Sequence, residues 1–408
     1  MAAKAVPDKT VCDAFGRETI NMKDRMIIEV RKAGFVNKGA ELMLRAIMER
    51  VQAAYPEALL TMAPTHACGA MPFRKVVDHG FYPKASLYQY GSQLGDLAKL
   101  APRKLREMYG LVLDRDVDVV IDAAGFSYSD QWGDRSSREL AHSAARWRKQ
   151  GTKVILMPQA FGPYTSTGIR KSIRNAVDNI DLVMPREQTS YEYLTDVTGE
   201  RANIRQYPDF TNLVEGVVPE YFDRNQHGVC LVPNYRMVDK TDGSRSSAYL
   251  PFMVRCAQQL REKGAKPFIL VHEGANDRWL ADQISEGAGG LPVLVEDDPL
   301  KIKGILGASF ATIGSRFHGL VSALSQGVPS LATGWSHKYQ ELFRDYGFPE
   351  GVLSVDDADS ELTEKIDRLV DERANRELAE SLQKESAHLK SRSEAMWGEV
   401  FSVIDRTA

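Results

Sequence analysis

The chain is poor in cysteine: Cys12, Cys68, Cys230 and Cys256 are the only four in 408 residues, widely spaced and without a CxxC pair. That argues against a disulfide framework and against a zinc site, and it suits a reducing compartment. Long apolar runs are also missing, since no stretch approaches the roughly 18 residues a membrane-spanning helix needs. Met1–Thr19 lacks the apolar core of a secretory signal. No sign of charge dominates: 52 basic against 55 acidic side chains leave a net −3. Nothing global therefore pulls the chain toward nucleic acid or an anionic membrane, and an anionic ligand needs a local cluster of donors. Neither a GxGxxG run nor a Walker phosphate loop is present. These absences describe a cytoplasmic protein with no nucleic-acid partner, no transmembrane segment and no metal site. They leave peripheral contact with the inner membrane face, and association into a homo-oligomer, open.

What is present is a globular composition, 43% hydrophobic and 26% charged, in a chain long enough for two domains. Short apolar runs alternate with amphipathic stretches. The spacing predicts strands over Met26–Val30, Leu59–Ala63, Val117–Asp122, Lys153–Met157 and Leu182–Met184. A second series covers Gly228–Val232, Pro267–Val271, Val293–Val295, Phe310–Ile313 and Ser330–Ala332. Uniformly apolar runs bounded by Gly, Pro or Asp are those of parallel strands covered on both faces. Helical periodicity falls between them, over Gly39–Ala54, Arg138–Gln150, Ile169–Asn179, Gln188–Val197, Leu250–Lys263, Gly319–Gln326 and Lys338–Tyr346. Repeated strand–helix alternation is the signature of doubly wound α/β folding. The polar, proline-bearing stretch Pro208–Gln226 separates the two series. The expected architecture is GT-B-like: two Rossmann-like domains, residues 1–218 and 219–390, with an interdomain cleft. The helical tail, residues 391–408, is expected to cross back to the first domain.

In open α/β sheets ligands collect beyond the carboxyl ends of the strands, which singles out six loops. Gly34–Gly39 places Asn37 before a helix start, either as a tight turn or as a polar contact. Ala123–Asp130 offers Asp130, a solvated loop carboxylate or a base for a sugar hydroxyl. Pro158–Pro163 holds Gln159 in a rigid turn. Arg186, at a strand end, needs an anion, either Glu187 or a ligand. Ile313–Leu320 is the strongest: an apolar strand ends at Gly314, and Ser315, Arg316 and His318 lead into a helix whose N-terminus attracts anions. His318 is the group here able to move a proton near neutral pH. In Gly334–Tyr339, Ser336 is a plausible helix cap and Lys338 a cation at the wrong end of a helix dipole. Arg186, Arg316 and Lys338 come from both halves, as a small, highly anionic ligand in the cleft would require.

Several of these stretches resemble the polysaccharide pyruvyl transferases, from about Gly34 to Gly347. They are Gly34-Phe-Val-Asn-Lys-Gly39, Gln159-Ala-Phe-Gly-Pro163, Arg186-Glu-Gln-Thr-Ser190, Pro208-Asp209, Ser315-Arg-Phe-His-Gly-Leu320, Ala323-Leu-Ser-Gln-Gly-Val-Pro329 and Lys338-Tyr339. The resemblance implies a ketal pyruvyltransferase. Such an enzyme carries the pyruvyl unit of phosphoenolpyruvate, its donor substrate, to two hydroxyls of a sugar acceptor, without a cofactor. It also implies that Arg316 and His318 hold phosphoenolpyruvate, with Arg186 as a further anion ligand; the loop reading adds Ser315, Gln159, Asn37, Ser336 and Lys338 as substrate-binding candidates. The sequence departs from the family pattern at Ala40, where Gly-Asp is usual, and at Ala123-Ala124-Gly125, where a glycine triplet is common. A glycosyltransferase using a nucleotide sugar shares the fold and the anion site and is the competing reading.

Overall fold

The computed structural model describes residues 25–89 and 92–406. Cys12 and the Met1–Thr19 stretch lie outside the described residues. Cys68, Cys230 and Cys256 are buried free thiols.

Two parallel sheets organise the chain. The first contains β1 (Ile27–Arg31), β2 (Leu59–Met62), β3 (Tyr82–Ala85), β6 (Val112–Leu113), β7 (Val119–Asp122), β8 (Lys153–Gln159) and β9 (Leu182–Pro185). A separate hairpin, β4 (Tyr88–Gln89) with β5 (Ser92–Gln93), interrupts the series. The second sheet contains β10 (Val229–Val232), β11 (Phe268–Val271), β12 (Val293–Val295), β13 (Ala311–Gly314) and β14 (Ser330–Ala332). Every expected strand is found within one or two residues of its expected ends or slightly longer. The first sheet gains β3 and β6 at its edge. Pro83 and Lys84 hide β3 from pattern reading, since Lys84 is a buried strand residue neutralised by Glu29 at 2.5 Å and Asp114 at 2.7 Å. Helices at Gly274–Gly287 and Pro299–Ala308 were not expected. The second is apolar nearly all round and carries no clear helical stripe.

The strand order decides where a ligand can sit. In the first sheet it is β6-β3-β2-β1-β7-β8-β9, and in the second β12-β11-β10-β13-β14. Winding reverses between β1 and β7 and again between β10 and β13. Loops leaving adjacent strands at such a reversal diverge and leave a crevice between them. Each sheet is covered on both faces by its own apolar clusters, which explains the uniformly apolar strands.

One 34-residue helix, Glu372–Asp405, ties the halves together, capped by Asp371 accepting from the Ala374 amide. Leu382 and Leu389 belong to the second-domain core, whereas Met396, Trp397, Val400 and Ile404 complete a core on the first sheet. The returning segment is thus the far end of a helix that starts at Glu372, not a separate helix beginning at residue 391. Residues Phe210–Leu213 form a short 3-10 helix at the crossover, and Phe210 and Val214 also pack into the first core.

Candidate active site

The two winding reversals face each other across a cleft. Two adjoining cavities of about 510 and 220 Å³ share Asn37, Phe126, Glu273, Phe317, His318 and Lys338. Nearly every wall residue comes from a loop beyond a strand or from the first turns of a helix. Lys32 to Asn37 follow β1, Ala124 to Phe126 follow β7, and Arg186 follows β9. From the second sheet, Asn234 follows β10, Glu273 follows β11, Arg316 to His318 follow β13, and Lys338 follows β14. Because each helix succeeds its strand, four helices aim their N-terminal ends here: Lys38–Ala54, Gly274–Gly287, Phe317–Leu324 and Lys338–Asp345. Their free N–H groups and dipoles make a positive potential that needs no unpaired cation.

His318 is held from two sides. Its Nε2 lies 3.5 Å from Asp209 Oδ2. On the other side the ring rests on Gly39, where an ideal Cβ would stand 2.7 Å from the His318 Cγ and 2.9 Å from its Cβ, and nearer still to Nδ1. Only glycine fits there, which gives the second glycine of the Gly34–Gly39 loop its physical reason. Asn37 caps the same helix by accepting from the Ala40 amide at 3.0 Å, and its Nδ2 donates to Glu273 Oε2 at 2.8 Å across the cleft.

Asp209 is the buried hub. Its Oδ2 accepts from Arg186 Nη1 at 3.0 Å, and its Oδ1 accepts from the Thr211 amide at 3.0 Å. Burial pushes this carboxyl up, but His318, Arg186 and Thr211 outweigh it and hold it well below the usual carboxylate range. Arg186 therefore has Asp209 as its main partner, with Glu187 farther away at 3.9 Å. The Arg186 guanidinium also stacks 3.9 Å from the centre of the Phe317 ring.

Lys338 is placed differently. Its ammonium sits 4.8 Å from the Trp335 ring centre, 5.3 Å from Phe317, and 5.4 Å from both Phe126 and Tyr339. It has no ion-pair partner among the described residues. Burial, then Arg186, push its ammonium down to about 7, with Glu187 only partly offsetting them. Rings stabilise a cation weakly. An anion would complete the site.

Arg316 is not the free anion donor the sequence suggested. Its Nε and Nη2 donate to the two oxygens of Asp277 at 2.8 and 2.6 Å, and its Nη1 to Glu273. Four further expectations need correction. Asp130 does not line the cleft: its Oδ2 accepts the Thr165 amide at 2.7 Å and so fixes a turn. Gln159 is fully buried beneath the loop, and neither of its side-chain polar atoms has a partner. Ser315 lies behind Arg316, with its hydroxyl 2.8 Å from Tyr249 Oη. Nor does Ser336 cap a helix: His337 occupies that position, and the Ser336 hydroxyl has no partner.

Pattern reading missed Glu273, His272, Asp277, Asn234 and Phe317. Glu273 and His272 follow β11 as directly as Arg316 follows β13, so the strand-end rule applied to them too. Phe317 stands between Arg316 and His318, and its signal was that pairing itself. His272 is kept uncharged by burial first, then by Arg316 and His318, well below its ordinary range. No metal-binding group of His, Cys, Asp or Glu occurs among the described residues.

Two stacked Rossmann-like domains with facing strand-end loops define a GT-B-type enzyme. The family model for polysaccharide pyruvyl transferase matches residues 37–337. The chain belongs to that family, and is a transferase on that ground. Among solved structures, Anabaena HepE with UDP-glucose is similar at a TM-score of 0.57 and 14% identity, over 92% of this chain and 99% of that one. MnaA of S. aureus, solved with UDP, gives 0.55 at 10% identity, over 93% and 97%. A putative UDP-N-acetylglucosamine 2-epimerase of Listeria monocytogenes gives 0.55 at 13% identity, over 89% and 90%. At such identities the likeness is one of fold. No helix among the described residues is long and apolar enough to cross a membrane.

Proposed function

We propose that the protein carries the pyruvyl unit of phosphoenolpyruvate onto two hydroxyls of one sugar, in exopolysaccharide or cell-surface glycan assembly. The observation that carries this reading is Lys338, a cation enclosed by rings without an anion, beside His318 and Arg186 in the cleft. A compact ligand with a carboxylate and a phosphate supplies the missing charge. The helix N-termini around it add charge-assisted bonds.

The chemistry follows from the groups in place. Protonated His318, stabilised by Asp209, gives its proton to the methylene carbon of the enol, so the neighbouring carbon becomes electron-poor. The first sugar hydroxyl adds there and loses its proton. Glu273, the carboxylate lining both cavities, takes the part of base that Asp130 is turned away from. The carbon–oxygen bond to phosphate breaks, Lys338 and Arg186 stabilise the departing phosphate, and the second hydroxyl closes the ketal. One hydroxyl proton replaces the one spent on the new methyl group, and the other leaves with phosphate. No cofactor enters this scheme.

The test is phosphate release from phosphoenolpyruvate against a series of acceptor glycosides, with NMR detection of the ketal methyl. Release that depends on both substrates is expected, and thermal stabilisation by phosphoenolpyruvate should accompany it. Stabilisation by UDP-sugars alone, with no phosphate release, would replace this reading by a nucleotide-sugar glycosyltransferase.

A further inference from the structure

Away from the cleft, two short successive elements of the first domain leave large apolar side chains exposed. The segment Leu94–Leu100 is a 3-10 helix, in which side chains three apart eclipse one another. Leu94, Leu97 and Leu100 therefore form one ridge, and it faces solvent: Leu97 is 62% and Leu100 77% exposed. The next helix, Arg103–Met108, repeats the arrangement. Leu105, Met108 and the following Tyr109 share a face at helical spacing, with Met108 70% exposed. Neither element contains a single buried residue. Scattered exposed leucines are ordinary, but six large apolar side chains on two successive elements make a patch that calls for a partner.

The charges within the patch identify that partner. Lys99 and Lys104 are exposed and have no ion-pair partner among the described residues, while Arg103 is matched by Glu107 at 2.5 Å. Across Leu94–Tyr109, Lys99, Arg103, Lys104 and Arg106 outnumber Asp96 and Glu107, so the face is net basic. An anionic bilayer accepts both features at once, the leucines entering the headgroup boundary and the lysines meeting lipid phosphates. Gly95 is pressed against the carbonyl of Ala85, the last residue of β3, which anchors the start of the ridge to the first sheet.

We infer that the face formed by Leu94–Tyr109 docks the first domain onto an anionic lipid surface. The inference stands independently of the pyruvyl chemistry. It is tested by co-sedimentation of the full chain with phosphatidylcholine vesicles, with and without phosphatidylglycerol, at low and high salt. Binding to the anionic vesicles, weakened by salt, is expected. Replacing both lysines (Lys99→Gln, Lys104→Gln) should weaken it about thirty-fold, the equivalent of ~1 kcal/mol per basic residue. Leu97→Ser with Leu100→Ser should weaken it about a hundredfold or more. Both variants should keep the parent melting temperature, since neither element buries a residue. Failure to bind anionic vesicles, or equal binding to neutral ones, overturns the inference. So does a self-association of the parent chain that the leucine variant abolishes, because the face would then be an interface between copies.

Discussion

Replacing Gly39 by alanine tests the placement of His318 with a single methyl group. That methyl would stand 2.7 Å from Cγ and 2.9 Å from Cβ of the ring, about 1 Å inside ordinary contact, so the ring or the helix start must move by that amount. Two effects on stability oppose each other. Alanine gains up to ~1 kcal/mol over glycine in a helix, while the overlap costs about 1–3 kcal/mol. The net change is a destabilisation of no more than about 3 kcal/mol, and the fold survives. Catalysis has no such compensation, because a displacement of about 1 Å in a positioned group costs on the order of a hundredfold. The assay pairs initial rates of phosphate release with thermal melting. Gly398→Ala serves as control: that glycine is in the long helix with nothing within 4 Å of its built Cβ. The control should gain stability and keep its rate. A Gly39→Ala protein that melts normally and turns over at the parent rate would refute the role of His318.

Other outcomes follow from the same geometry. His318→Ala should abolish phosphate release while leaving the circular dichroism and much of the phosphoenolpyruvate affinity intact; unchanged turnover would sink its assignment as proton donor. Arg316→Ala leaves Asp277 and Glu273 without their cation, so it should destabilise the chain by about 3–5 kcal/mol, visible as a large fall in melting temperature rather than a pure loss of affinity. Lys338 and Lys303 are each pushed down to about 7, chiefly by burial. With folded-state values below those of the unfolded chain, the unfolded chain holds more protons between about pH 7 and 10.5, so stability rises with pH there. Each lysine adds up to ~1.4 kcal/mol per pH unit. Lys303→Met should flatten that slope in melting curves, and an unchanged slope would contradict it. Binding of phosphoenolpyruvate above pH 7 should draw a proton onto Lys338. Calorimetry in buffers of different ionisation enthalpy would register that uptake, and Lys338→Met should remove it.

The fold was legible because parallel strands covered on both faces read as uniformly apolar runs, and ten of them appeared in order. β3 escaped because its buried lysine gains its partners, Glu29 and Asp114, only in three dimensions. The cleft was legible as far as its loops lie beside the winding reversals. Loops after β1 and β13 do so and supplied Asn37, Arg316 and His318, while Lys338 reaches the cleft from β14, one strand beyond the reversal. Gln159 follows β8, one strand away from the reversal, and is sealed in instead. What no local pattern announces is which charges are already matched. Arg316 finds Asp277 and Glu273 from another βα unit, and Arg186 finds Asp209 from the crossover. The anion site thus rests on Lys338 and on helix ends more than on the arginine that drew attention first.

The long last helix has a consequence for the order of assembly. Sheet one is complete by Pro185, yet Met396, Trp397, Val400 and Ile404, which cover one of its faces, are synthesised only after the entire second sheet. During translation that face must wait, exposed or loosely covered, until the final turns emerge. The first domain is therefore made before the second and finished after it, and its maturation reports that the second sheet has already been synthesised.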